Sequence, residues 1–513
     1  MQNNYSVKVR VLISAISNAV RSILSFAAGV LIARALEPSA YGDLMFLLGS
    51  FVAIRSLLDM GTSSAFFTFL SQKSRDRRFY FIYFAWLLIQ FIITFILLWL
   101  VVPSNIFNKV WLGHEKHTVL LAFVSSFMQQ HVWQAVVQIG ESMRKTVEVQ
   151  LMNLSVVLTY FVSILLVSTY GQLTIEKILT FMIVQYILIT IFARRALKLD
   201  ELIISEEDFR FGEVLSGYWL YCKPMLVMVF VNFLHDFGDK WILQKFGGAE
   251  QQGYFQIANQ FAAISLLATA SIINIFWKEI AECWERQDLI RVAVLYKKVS
   301  RGLVLLGSVI SGLMLPWSDV IVKIFLGPSY VDAWPVFSIM LLYPIHQSLG
   351  QIAGVMFLAS GLTRKYMIIS VVIALMSIST SYMLIAPTSV MWLPALGMGA
   401  LGMACKMVFM GIISVNFQAW IISRIGGWKF DWIFQVIGIP LILMAGFFAK
   451  SVAVMIINPS NDELDQIVHV MLISGFVYLI LISMLVWTLP WLVGSSRDRV
   501  VFNLKAILFR KSL

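Results

Sequence analysis

Arg21, Arg55, Lys223 and Lys406 each lie inside a long apolar run of this sequence, where the surrounding solvent should be hydrocarbon. A charge placed there is costly and normally marks an ion path, a substrate site or a tightly held structural pair. The residue types suit one ligand chemistry. Arg forks across phosphate oxygens and Lys adds a point charge, so four such cations would attract a diphosphate. The only mid-span acid is Asp59, one turn after Arg55 at i+4. The plainer reading makes Arg55 and Asp59 a structural ion pair, with Arg21 held by carbonyls or polar side chains. Asp59 is also the candidate protonatable coupling residue.

A second polar group is FMQQHVWQAVVQIG, where Gln130, Gln134 and Gln138 follow the i, i+4, i+8 spacing of one helix face beside Gln129 and His131. They could hydrogen-bond sugar hydroxyls, or equally bond other helices. A lone His131 reads as a packed side chain more readily than as a proton carrier. Trp111, Tyr330, Trp334 and Trp392 read as an aromatic belt. Pro224, directly after Lys223, should loosen its helix by removing a backbone hydrogen bond, and Pro344 could act the same way.

The elements that position these residues are transmembrane helices. Of 513 residues 59% are hydrophobic and 13% charged, about half the charged share of an ordinary soluble domain. The chain is expected to be an all-α polytopic membrane protein. Spans are predicted at 11–33, 43–70, 79–102, 118–140, 147–168, 174–193, 214–237, 252–276, 302–322, 335–360, 366–386, 394–418, 432–449 and 466–491. Alternate connections hold 27 Lys and Arg on the side of both termini and eight on the other, so both termini are expected to be cytoplasmic. At 1.5 Å per residue, Arg21 and Lys223 lie about 15 and 14 Å in from one side. Arg55 and Lys406 lie about 18 Å in from the other, so all four share a midplane level in a core roughly 30 Å thick.

External loops are too short for a catalytic domain. Residues 277–302 read as an amphipathic helix along the inner face or equally as a solvated linker, and the basic tail RVVFNLKAILFRKSL as a segment resting on anionic lipid. The letters DFG in HDFGD lack every other kinase feature. No phosphate-binding loop of the G-x-x-x-x-G-K-[ST] type occurs, so no ATP hydrolysis by this chain is indicated. Three scattered cysteines and six unclustered histidines indicate no disulfide framework, metal or cofactor. The net charge of +11 is absorbed by the topology and does not call for nucleic acid.

The halves look related. IARALEPSAYGDLMFLL follows the first span and ILQKFGGAEQQGYFQIA the seventh, each with a Tyr and Gly pair opening the next helix. Two parallel six-helix repeats around a central cavity, plus two C-terminal helices, would result. Lobes are expected at 1–200 and 201–425, with the extra helices and tail at 426–513. LIARALEPSAYGDLMFLLGSFVAIRSLLDMGTSSAF, DKWILQKFGGAEQQGYFQIANQF and IVKIFLGPSYVDAWPVFSIMLL also resemble bacterial polysaccharide-biosynthesis flippases, the O-antigen and exopolysaccharide group of the multidrug, oligosaccharidyl-lipid and polysaccharide (MOP) exporter superfamily.

That resemblance implies alternating-access transport, not an enzyme, of a polyprenyl-diphosphate-linked oligosaccharide across the bacterial cytoplasmic membrane. It implies lipid and polysaccharide polymerase or assembly proteins as partners. The chain departs from the family at HDFGDK, where relatives often carry a basic residue and Asp, so no role transfers to Asp236 or Asp239. Competing readings are a drug or cation exporter of the same superfamily, whose cavity should be acidic, and a membrane-embedded glycan polymerase or ligase, which should have large external loops.

Overall fold

The computed structural model describes residues 7–72, 75–197, 211–389, 395–457 and 464–494, which are almost wholly helical and contain no strand. Among the described residues, ten helical stretches are long and apolar enough to cross a membrane. Two of them, Ile13–Asp59 and Phe211–Ile264, each join two helices across one non-helical residue, Glu37 (φ 62°, ψ 169°) and Gly248 (φ 84°, ψ 174°). Counting those as pairs, with the interrupted helices at 116–142 and 334–359, gives the expected fourteen spans. The protein is a multi-pass membrane protein.

Several spans are broken where the sequence carries polar residues or proline. The second ends at Asp59, turns through Met60 (φ 48°) and Gly61 (φ 87°), and restarts as Thr62–Gln72. The fourth opens into a π turn, Met128–Trp133, at the Gln-Gln-His sequence. The seventh passes through a 3-10 turn, Lys223–Met225, where Pro224 breaks the α-helical pattern. The tenth is divided into Trp334–Met340 and Tyr343–Ala359 beside Pro344.

Other expectations change. Residues 277–302 are no separate surface helix: 277–285 end a helix continuing from the eighth span, and Leu289 begins the ninth-span helix Leu289–Met314. Part of the apolar content of this stretch serves tertiary packing, with Cys283, Val292 and Tyr296 buried against Ile352 and Met356, while Ile290 and Val294 stay exposed. Trp111 and Tyr330 are core residues, 5% and 0% exposed, and only Trp334 fits an exposed belt, at 47%. Trp392, most of the 194–213 connection and the basic tail lie outside the described residues.

The chain packs as two compact units, Met1–Ile257 with Ala374–Met403, and Ala258–Ile373 with Ala404–Leu513. In the first, the two single-residue turns meet reciprocally. A Cβ on Gly42 would lie 1.8 Å from the Ala249 carbonyl oxygen, and one on Gly253 would lie 2.1 Å from that of Pro38. Gly42 and Gly253 are the glycines of the two repeated motifs, and each occupies the same place relative to its turn. Only glycine permits this backbone approach. In the second unit, Arg301 forks across Asp431, with Nε–Oδ2 at 2.5 Å and Nη2–Oδ1 at 2.8 Å, and donates to the Trp491 carbonyl. It thereby ties the ninth span to the two C-terminal ones.

Gly253→Ala must force the turns apart, and is expected to lower the melting temperature and speed amide exchange at 38–43 and 249–254. Gly411→Ala, whose Cβ would meet nothing within 4 Å, serves as control. Equal behaviour of the two variants would contradict the close approach.

Candidate functional site

Arg55 lies on the last turns of the second-span helix, half-buried, and its Nη1 donates to Gln130 Oε1 at 3.4 Å. Gln130 in turn donates to Ser126 Oγ at 3.0 Å. The neighbouring Gln129 lies near enough to Tyr186 of the sixth span to act on it, and the charge of Arg21 reaches that same tyrosine. Arg21 is half-buried, with Nη2 donating to Asn18 Oδ1 at 3.0 Å. The two adjacent glutamines thus connect the surroundings of both arginines through one π turn. Such a turn offsets successive side chains from the α-helical register, a feature frequent at functional sites.

The π turn has a cost for the expected glycan face. Gln130 lies inside it and Gln134 and Gln138 after it, in Gln134–Ser142, so the even i, i+4, i+8 row is interrupted. The structure brings Gln130 to Arg55 and makes no such bond from Gln134 or Gln138. Gln138 Oε1 is buried without a hydrogen-bond partner.

The i,i+4 ion pair between Arg55 and Asp59 does not form. Asp59 turns forward and caps the next helix, accepting from the Ser63 amide at 2.9 Å, the Ser63 hydroxyl at 2.8 Å and the Thr62 hydroxyl at 3.1 Å. It satisfies amides that the break exposes. Both charges still act on His131, which is 4% exposed and stacks on Phe127 with ring centroids 4.6 Å apart. His131 is a packed residue, as the plainer reading held.

Lys223 is exposed in the 3-10 turn, within the same unit. That turn faces the break in the second span: a Cβ on Gly61 would lie 3.0 Å from Met225 Sδ and 3.9 Å from Cys222 Sγ. Beyond it, Phe69 meets Tyr218 edge-on with centroids 5.4 Å apart, closing the 62–72 helix onto the seventh span. Lys406 belongs to the second unit and is enclosed, 1% exposed. It can supply charge there, but no exposed contact.

Two polar groups have partners that the sequence does not reveal. His235 faces Asp236 and the Ser377 hydroxyl at 3.0 Å each and Asp239 at 3.5 Å, while Ser381 donates to Asp239 at 2.6 Å. Ser377 and Ser381 stand one turn apart in SISTS, which was the available signal. The other group lies beside the reciprocal glycines: Asp43 accepts from Gln244 Nε2 at 2.7 Å and pairs with His114 at 3.1 Å.

No family model matches the chain, and no curated protein does. Solved structures do. A lipid II flippase MurJ in an inward closed conformation superposes with a TM-score of 0.69 at 17% identity, covering 93% of this chain and all of that one. A MOP-superfamily transporter from Pyrococcus furiosus gives 0.54 at 14% identity, covering 82% and 95%. An inward-facing MATE multidrug transporter gives 0.58 at 13%, covering 80% and 98%. This chain has the MOP-transporter fold. Within that fold, the polar residues at the breaks of the second, fourth and seventh spans make up the candidate site.

The Asp43–His114 pair lies outside the spans on the histidine side, and its titration has a definite sign. Burial opposes the charged imidazole, but the Asp43 carboxylate and the Trp111 carbonyl outweigh it and leave its pKa raised. The stabilisation is therefore complete below about 6.5, the ordinary histidine value, and is lost as pH rises through the raised folded value. His114→Ala is expected to lower the melting temperature more at about pH 5.5 than at about pH 8.5. An equal drop at both would contradict the pairing.

Proposed function

We propose that the chain is a flippase carrying a polyprenyl-diphosphate-linked oligosaccharide across the bacterial cytoplasmic membrane by alternating access, for cell-surface polysaccharide synthesis. The observation that carries this reading is the placement of Arg21 and Arg55 around one π turn while the nearest acid, Asp59, is occupied as a helix cap. The cluster is left cationic, and a diphosphate is the anion a lipid-linked sugar offers. A superposing structure is that of a lipid II flippase; lipid-linked substrate chemistry is thus compatible with the fold.

Arg21 and Arg55 are the primary diphosphate ligands in this proposal. Lys223, exposed at the facing break, joins them, while Lys406, buried within the other compact unit, is left out of this cluster. Gln130 orients Arg55, while Gln134 and Gln138 remain candidates for the glycan. The lobes follow the repeat, 1–200 and 201–425, with 426–513 as an accessory pair. Both termini are cytoplasmic by the distribution of Lys and Arg. The Gly42–Gly253 seam then closes the outer side and the Phe69–Tyr218 contact the inner side, and transport opens them in turn. Coupling is assigned to His235 with Asp239 in preference to Asp59, whose carboxylate is fully engaged. A drug or cation exporter would need its acids free in the cavity, and Asp59 is not.

The test is complementation of a gene deletion, with lipid-linked glycan followed on each leaflet. Arg21→Ala and Arg55→Ala are each expected to slow appearance on the outer leaflet at least about tenfold, the loss of one charged hydrogen bond. Normal export by the double variant would sink the anion site, and an unchanged glycan distribution in the deletion would sink the flippase.

A further inference from the structure

In the second unit, the ninth span, the end of the twelfth and the segment entering the thirteenth enclose a cavity of about 230 Å³. One face of the ninth span supplies Tyr296, Lys297, Ser300 and Arg301, and one turn further into the span Val304; Leu349 and Phe434 continue the apolar wall. The cavity is therefore cationic and polar at one end and apolar at the other. It is smaller than the roughly 300–1,000 Å³ of drug-sized sites, which suits a headgroup and excludes an oligosaccharide.

The charge of this cavity is not balanced from within. Arg301 and Asp431 neutralise each other through their fork. Lys297 and Lys429 also line the cavity, and neither makes an ion pair or side-chain hydrogen bond among the described residues. The polar wall is incomplete as well. The Tyr296 and Ser300 hydroxyls and the Trp428 indole N–H are shut off from solvent without hydrogen-bond partners. Tyr296 and Ser300 are each 8% exposed. Their hydroxyls stand one turn apart, near enough to act on each other, yet make no bond of ordinary geometry. Buried polar groups left this way need a partner, and each of these three can donate to an oxygen. Trp428 is held in the wall by its ring lying across Gly426, where a Cβ would come within 1.7 Å of it.

We propose that this cavity binds the phosphate headgroup of an anionic glycerophospholipid, apart from the transport route. Lys297 and Lys429 meet the phosphate charge, Tyr296, Ser300 and Trp428 donate to its oxygens, and the apolar end receives the start of the acyl region. Lys297, Arg301, Arg424 and Lys429 lie toward one end of their spans, the end that the positive-inside tendency assigns to the cytoplasm. The lipid is one of the inner leaflet. The chain's own C-terminal segment is basic and cannot serve as the occupant.

Native mass spectrometry of the full-length protein, equilibrated with equal amounts of phosphatidylglycerol and phosphatidylcholine, tests this. Wild type is expected to retain phosphatidylglycerol preferentially, and Lys297→Gln with Lys429→Gln to reduce that retention by about tenfold or more. Arg364→Gln with Lys365→Gln, an equal loss of charge on the same expected face, should leave it unchanged. Trp428→Phe keeps the ring, removes the donor and should also weaken retention, which guards against misfolding of the double variant. Equal retention of the two lipids, equal effects of the two charge-loss pairs, or displacement of phosphatidylglycerol by inorganic phosphate would each overturn the assignment.

Discussion

In hydrocarbon, a helix can depart from α-helical bonding only where neighbouring protein satisfies the backbone groups that the departure releases. This constraint governs the first unit. Where the second span stops, Gln90 of the third span donates to the Leu58 carbonyl at 2.7 Å and Asp59 accepts from the Ser63 amide at 2.9 Å. One broken end is thus served from both directions. Polar side chains brought in for the backbone also lower the cost of keeping Arg55 one turn away. Charge and irregular backbone occur together because each needs the polar company that the other supplies. The π turn at 128–133 follows the same logic, offering Gln129 and Gln130 to two different helices.

A second constraint is the reciprocal contact of Gly42 and Gly253. Repeated halves that meet through the same residues can separate and rejoin without remodelling either helix pair, because the contact is backbone on backbone. Glu37 adopts a positive φ with extended ψ at a place where the other repeat has Gly248. A non-glycine residue there is strained. The first turn is therefore held by its surroundings, among them the Asp43, His114 and Gln244 group.

Much of the architecture was legible in the sequence. Apolar run length fixed the number of spans, and the paired motifs around Gly42 and Gly253 announced a repeat that the contact geometry makes concrete. Pro224 correctly marked a break. What could not be read was direction. The i+4 spacing of Arg55 and Asp59 implied an ion pair, but the chain turns at Gly61 and brings Thr62 and Ser63 round to engage the Asp59 carboxylate instead. The row of Gln130, Gln134 and Gln138 presupposed a uniform α register, and no local propensity signals a π turn. Lys406 resembled the other cations in depth alone, since burial depends on neighbours far away in sequence. HDFGDK departs from the family pattern and so assigns nothing to Asp236 or Asp239, and the partners Ser377 and Ser381 of His235 and Asp239 lie more than a hundred residues on.

The central claim is that the cationic cluster around the π turn recognises a diphosphate, and direct binding tests it without any assay of transport. Purified protein would be titrated with polyprenyl diphosphate and with the uncharged polyprenol of equal chain length, for wild type and for Arg55→Gln. Preferential binding of the diphosphate by at least about tenfold, with the preference reduced in Arg55→Gln, is the predicted result. Equal affinity for the charged and uncharged lipids, or a preference that Arg55→Gln leaves intact, would contradict it.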